Sequence, residues 1–124
     1  MSHIYHITTR AAALEARQSG EYRTESLLSQ GFIHFSQIFQ TLGVANAFYA
    51  GQTDLVILVV DVSRLKAELK FEEPIHPGAA ASTVLPAADA LFPHLYGPLN
   101  FDAVDQVVDF PVGSQGKFEL PKLD

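Results

Sequence analysis

The chain has 124 residues, no cysteine, 48% apolar and 18% charged residues, and a net charge of −6. That size and composition describe one globular domain, residues 1–124, able to bury a core without covalent staples, and they exclude disulfides, thiolate metal sites and a cysteine nucleophile. Eight scattered basic residues argue against non-specific nucleic-acid binding. With no signal-peptide pattern and no apolar run longer than residues 55–60, a cytoplasmic protein without a membrane span is expected.

Residues 4–7 predict a first strand, with Ile4 and His6 on one face and Tyr5 and Ile7 on the other. Thr8 or Thr9 is placed to cap an alanine-rich helix over 10–19, closed by Gly20. Residues 21–23 read as a short strand and 26–30 as one helical turn closed by Gly31. The next strand covers 32–35, with Phe32, His34 and Ser36 sharing a face. Ser36 is placed to cap a helix over 37–49, to which Ile38, Leu42, Ala45 and Tyr49 give an apolar stripe. Residues 55–62 are apolar except for Asp61, which predicts a strand covered on both faces.

A short helix is expected over 63–67 and a strand over 69–72. Residues 74–90 hold Pro74, Pro77, Gly78 and Pro86 without periodicity and read as irregular. Residues 92–96 predict a strand entering a Gly97-Pro98 turn, and Asn100 is placed to cap one turn over 101–104. Residues 106–110 and 117–120 bracket Gly113-Ser114-Gln115-Gly116, the pattern of a closing hairpin. Six or seven strands with two main helices, both early, define an α+β protein.

Three histidines stand inside apolar runs: His6, His34 and His94. A polar ring buried without a partner costs roughly 1–3 kcal/mol, so three of them point to a shared polar cleft. His6-x-Thr8 and His34-x-Ser36 each put an imidazole and a hydroxyl on one side of a strand, a pair that suits a carboxamide, a ribose hydroxyl or a phosphate oxygen. Either pair alone equally fits a satisfied core histidine followed by a capping hydroxyl. His94 shares its face with Tyr96, and a phenol beside an imidazole orients it or relays a proton. Alternation turns one of Glu72 and Glu73 inward, to steady positive charge or orient a histidine. Thr8 and Arg10, at the start of the first helix, favour an anion there. Three imidazoles and a carboxylate would also make a zinc site, although no local ligand spacing is present. His3 and His76 are assigned no role.

The segments Tyr5-His6-Ile7-Thr8-Thr9, Gly31-Phe32-Ile33-His34-Phe35-Ser36, Leu42-Gly43-Val44-Ala45-Asn46 with Phe48-Tyr49, and Phe92-Pro93-His94-Leu95-Tyr96-Gly97-Pro98-Leu99 run in this order. Together they resemble a bacterial family, domain-of-unknown-function family 952. Its fold is considered similar to that of ADP-ribosyltransferases and the related RNA 2′-phosphotransferases. The resemblance implies a split, mostly antiparallel sheet and a ligand of the NAD or ADP-ribose kind. In that superfamily a first-strand histidine contacts ribose, which His6 matches, and His34-x-Ser36 matches the second-strand position. Ile7 stands where the superfamily commonly has glycine, and His94 with Tyr96 occupies the late strand that often carries a catalytic glutamate.

The expectation is a nucleotide or ADP-ribose-like small molecule, with NAD as the implied cofactor, bound between the first, His34 and His94 strands. The catalytic set of such a transferase is His34, His94, Tyr96, Glu72 and Glu73, and the binding set is His6, Thr8, Arg10 and Ser36. Two other classes stand open: a non-catalytic metabolite- or protein-binding module, and a histidine-ligated metal-dependent hydrolase.

Overall fold

The computed structural model describes residues 2–73, 91–113 and 118–121. In chain order its elements are β1 (His3–Thr9), α1 (Arg10–Ser19), β2 (Glu21–Tyr22), α2 (Glu25–Ser29), β3 (Ile33–His34) and α3 (Ile38–Phe48). Then come β4 (Leu55–Asp61), β5 (Glu68–Glu72), β6 (Phe92–Tyr96), β7 (Leu99–Asn100) and β8 (Val104–Asp109). The architecture is α+β, with three helices and three antiparallel sheets among the described residues: β1-β4-β8, β3-β6-β5, and the small pair β2-β7.

Every residue of β4 is buried, as its unbroken apolar run requires. Its alternating side chains feed two cores. Val56, Leu58 and Val60 pack with Ile4, Ala13, Ala16, Ile33 and Leu95. Ile57 and Val59 pack on the opposite face with Tyr5, Ile7, Ala45, Phe110 and Phe118. The period-two reading of β1 therefore holds: Ile4 goes to one core, Tyr5 and Ile7 to the other.

Local chemistry ends the helices. Thr9 Oγ1 accepts from the Ala12 N–H at 3.1 Å to cap α1, and Gly20, at φ 88°, takes the left-handed conformation that stops it. Helix α3 departs from expectation. Gln37 caps it through a capping box, its N–H donating to Gln40 Oε1 at 2.8 Å. Ser36 is instead buried, its hydroxyl 2.8 Å from Thr41 Oγ1 and 3.4 Å from the Tyr5 carbonyl. The helix packs through Thr41 and through Leu42, Ala45 and Tyr49 of the expected stripe, while Ile38, 43% exposed, stands outside it.

Eight strands are present among the described residues, against six or seven expected. The additional piece is Leu99–Asn100, which pairs with Glu21–Tyr22; two-residue strands carry no periodicity to read. The expected strand at 117–120 is reduced to one bridge, Val112↔Phe118, with Phe118 stacked on Phe110 at 4.8 Å. The expected helix at 63–67 is a 3₁₀ turn, Val62–Arg64, capped by Asp61. Asp61 is 2% exposed, and bonds from the Ser63 hydroxyl and N–H hold its carboxyl below the usual range. A 3₁₀ turn does form at Phe101–Ala103, but the Asn100 side chain does not cap it and donates to the Arg64 carbonyl at 2.9 Å. His3 lies in β1 and pairs with Asp105 at 2.8 Å rather than standing free. The irregular segment 74–90, with His76, and the hairpin residues 114–117 lie outside the described residues. No helix among the described residues is long and apolar enough to cross a membrane.

Gly97 follows β6 where it passes the chain before β5. A Cβ there would lie 2.7 Å from the Ala67 Cβ, well inside contact distance, and Ala67 has no side-chain torsion with which to yield. Gly97→Ala is therefore expected to cost about 1–3 kcal/mol through overpacking. Urea unfolding of the variant would read the loss; an unchanged midpoint would show that the two backbones separate freely.

Candidate functional site: a cleft where the sheet divides

Strand β1 pairs along its whole length with β4. On its other edge it meets the chain of β3 at one place only, where Tyr5 and Ser36 exchange backbone bonds of 2.9 and 2.8 Å. A continuous antiparallel ladder would next join Ile7 to His34. Instead β3 turns away to pair with β6, in a register that sets His34 opposite His94. The gap is a cleft of about 400 Å³.

His6 holds the gap open. Its Nδ1 lies 2.6 Å from the His34 carbonyl, the acceptor that a continuous ladder would give to the Ile7 N–H. A carbonyl only accepts, so Nδ1 carries the proton and the neutral ring has Nε2 free as an acceptor. The Tyr22 hydroxyl lies 2.8 Å from that Nε2 and 2.9 Å from Thr8 Oγ1. The Tyr22 hydroxyl donates to Thr8 Oγ1, and His6 Nδ1 donates to the His34 carbonyl. Burial drives the His6 pKa down to about 4 and the Tyr22 pKa up to about 12, so both stay neutral near pH 7. Every polar atom of the His6 ring is consumed within the protein.

The inner wall is built on β5 and β6. His94 is wholly buried and stacks on Phe32 with ring centroids 4.1 Å apart. Its Nδ1 donates to Glu72 Oε1 at 3.0 Å, and the Tyr96 hydroxyl donates to the same oxygen. The Tyr96 bond first, and His94 after it, keep the Glu72 carboxyl below its usual range, while the shared bond raises the Tyr96 phenol. The His34 ring stands edge-on to His94 at 5.3 Å, and its Nε2 is 2.6 Å from Gln30 Oε1.

Three histidines separated by 28 and 60 positions thus line one cleft, together with Thr8 and Ser36. Glu72 and Tyr96 stand behind His94 and do not line it. Two residues fall elsewhere. Arg10, expected beside an anion, is held on the surface by Asp54 at 2.9 Å and Asp109 at 2.7 Å. Glu73 is exposed and outside the lining. Tyr22 and Gln30 were missed, because a tyrosine in a two-residue strand and a glutamine ending one helical turn carry no pattern. Among the described residues no group of three or more His, Asp or Glu side chains is placed to hold a metal ion. His34 and His94 meet edge-on at 5.3 Å, while the His6 nitrogens go to the His34 carbonyl and the Tyr22 hydroxyl.

The walls are aromatic, supplied by Tyr5, Phe35, Phe48, Tyr49 and Phe92, and among the described residues no lysine or arginine lines them. The structure is thus an α+β protein with an aromatic, histidine-bearing cleft at a divided sheet. The chain belongs to the family described as "Protein of unknown function (DUF952)", whose model matches residues 7–107. It is similar to the crystal structure of protein CC0527 from Caulobacter crescentus, at 31% identity and TM-score 0.76 over 95% of this chain and 94% of that one. A double mutant of the same protein gives 30% and 0.76 over the same shares. Its solution NMR structure gives 31% and 0.72, over 94% and 91%. No curated protein matches the chain.

Proposed function

We propose that the cleft binds the neutral end of a nucleotide-derived ligand, a ribosylated base or nicotinamide-like ring of the NAD and ADP-ribose kind. The observation that carries this reading is the interrupted ladder between β1 and β3, where the buried His6 and His94 and the half-buried His34 line an aromatic cavity. Planar rings stack on such walls, and carboxamides or ribose hydroxyls suit the imidazoles. With no cation among the described lining residues, phosphates belong outside the mouth. The split sheet with His6 on its first strand is also what the likeness to ADP-ribosyltransferases implies. In this reading His6, Thr8 and Ser36 build the cleft, His34 and His94 face the ligand, and Glu72 with Tyr96 sets the proton position on His94. That last trio supplies the acid–base group a transferase of this kind needs.

Histidine side-chain NMR during titration with NAD, ADP-ribose, adenosine and nicotinamide tests the reading. The His34 and His94 signals should move, and Arg10→Ala should leave the affinity unchanged. Silence of every cleft signal at millimolar ligand would end the nucleotide reading.

A further inference from the structure

We infer that His94 Nε2 is an acceptor that the bound ligand must satisfy, so that the cleft selects molecules carrying a hydroxyl or amide N–H at their inner end. This rests on the reading of the cleft as a ligand site. Among the described residues, His94 Nε2 is the one buried side-chain polar atom without a hydrogen-bond partner. A structure that satisfies the rest of its buried polar groups leaves such an atom bare at a cost, and a ligand is a sufficient reason.

The protonation follows from the neighbours. Glu72 accepts from Nδ1–H and is itself held by the Tyr96 hydroxyl, so in the neutral ring the proton sits on Nδ1 and Nε2 keeps its lone pair. Phe32 stacked beneath the ring fixes its plane. His94 lines the cleft and Glu72 does not, so the ring edge turned away from Glu72, which carries Nε2, is the edge it offers. His6 makes no comparable offer, since both its nitrogens are engaged.

In the resting structure Nε2 is out of reach of water, so something must move for a ligand to touch it. The rings packed on His94 are Phe32 and His34. Phe32 is 3% exposed and wedged in place, whereas His34 is half-buried and secured by Gln30 at 2.6 Å. Of the two rings His34 is the more exposed, and its turning aside would break the Gln30 bond. A ligand that enters without a donor leaves the acceptor stranded, and such sites discriminate strongly against the analogue lacking the group.

Two pairs of probes test this: adenosine against 2′,3′-dideoxyadenosine, and nicotinamide against N,N-dimethylnicotinamide, read by ¹⁵N histidine NMR on the full chain. The ligand-free protein should show Nε2 of His94 unprotonated. The donor-bearing member of a binding pair should shift that nitrogen and bind at least about tenfold more tightly than its partner. His94→Phe, which keeps the stacked ring, should bring the two members together. A proton on Nε2 in the free protein overturns the inference. So do equal wild-type affinities, or His6 and His34 signals that move while His94 stays still; in both cases the cleft remains a ligand site. Silence of all three histidines overturns the inference together with the reading beneath it.

Discussion

Acidification from pH 6.5 to pH 4 is expected to weaken the fold by roughly 3 kcal/mol through His6 alone. Burial lowers the pKa of this ring from 6.5 to about 4 in the folded protein. Above pH 6.5 the ring is neutral in both states and its contribution is fully present. Between the two values the unfolded chain takes up a proton that the folded chain refuses, so stability falls as pH falls. Below about 4 both states are protonated and the effect levels off. Charging the ring also removes the Nε2 lone pair, so a doubly protonated imidazole meets the Tyr22 hydroxyl as a donor.

His6→Asn isolates the contribution. The Asn side-chain amide stands where Nδ1–H stands and donates to the His34 carbonyl without titrating. At pH 7 the variant should be less stable by about 1–2 kcal/mol, since the Tyr22 hydroxyl loses its contact with Nε2. Its stability should then lack the histidine limb between pH 6.5 and 4 and keep only the carboxylate losses. Urea unfolding by circular dichroism at half-unit pH steps supplies the comparison. Parallel curves for the two proteins would show that His6 is not the source of the acid sensitivity.

Leu58→Ala should cost about 2–5 kcal/mol, the range for a large aliphatic side chain removed from a core that cannot collapse. Leu58 has no exposed surface and lies in the middle of β4, opposite His6 on β1 and Val107 on β8. Strands hold it on both sides, so the surrounding backbone has little freedom to close the void. Because its cross-strand partner is His6, the loss should also disturb the cleft, visible as a shift of the His6 ring signals at neutral pH. Phe71→Ser is the contrast: Phe71 is 48% exposed on β5, and its removal should stay within about 0.5 kcal/mol. Similar losses for the two variants would mean that the stability does not reside in β4.

Much of this architecture was legible in the order of residue types. The doubly covered strand at Leu55–Asp61, the Thr9 cap, the Gly20 stop and the facing of Ile4 against Tyr5 and Ile7 all came through as read. These features depend on contacts within a few positions, or on a period that a strand or helix displays by itself. The polar exceptions in apolar runs marked the cleft in the same way. Tertiary structure decided what those residues do. Ser36 left its helix-capping position because β1 and Thr41 offered its hydroxyl a buried partner. Arg10 turned outward because Asp54 and Asp109 met it at the surface. The cleft itself exists because β3 leaves β1 after one bridge to pair with β6, a choice between two long-range ladders that no local pattern encodes. That same choice spent the polar atoms of His6 on holding the sheets apart and left those of His94 half unspent.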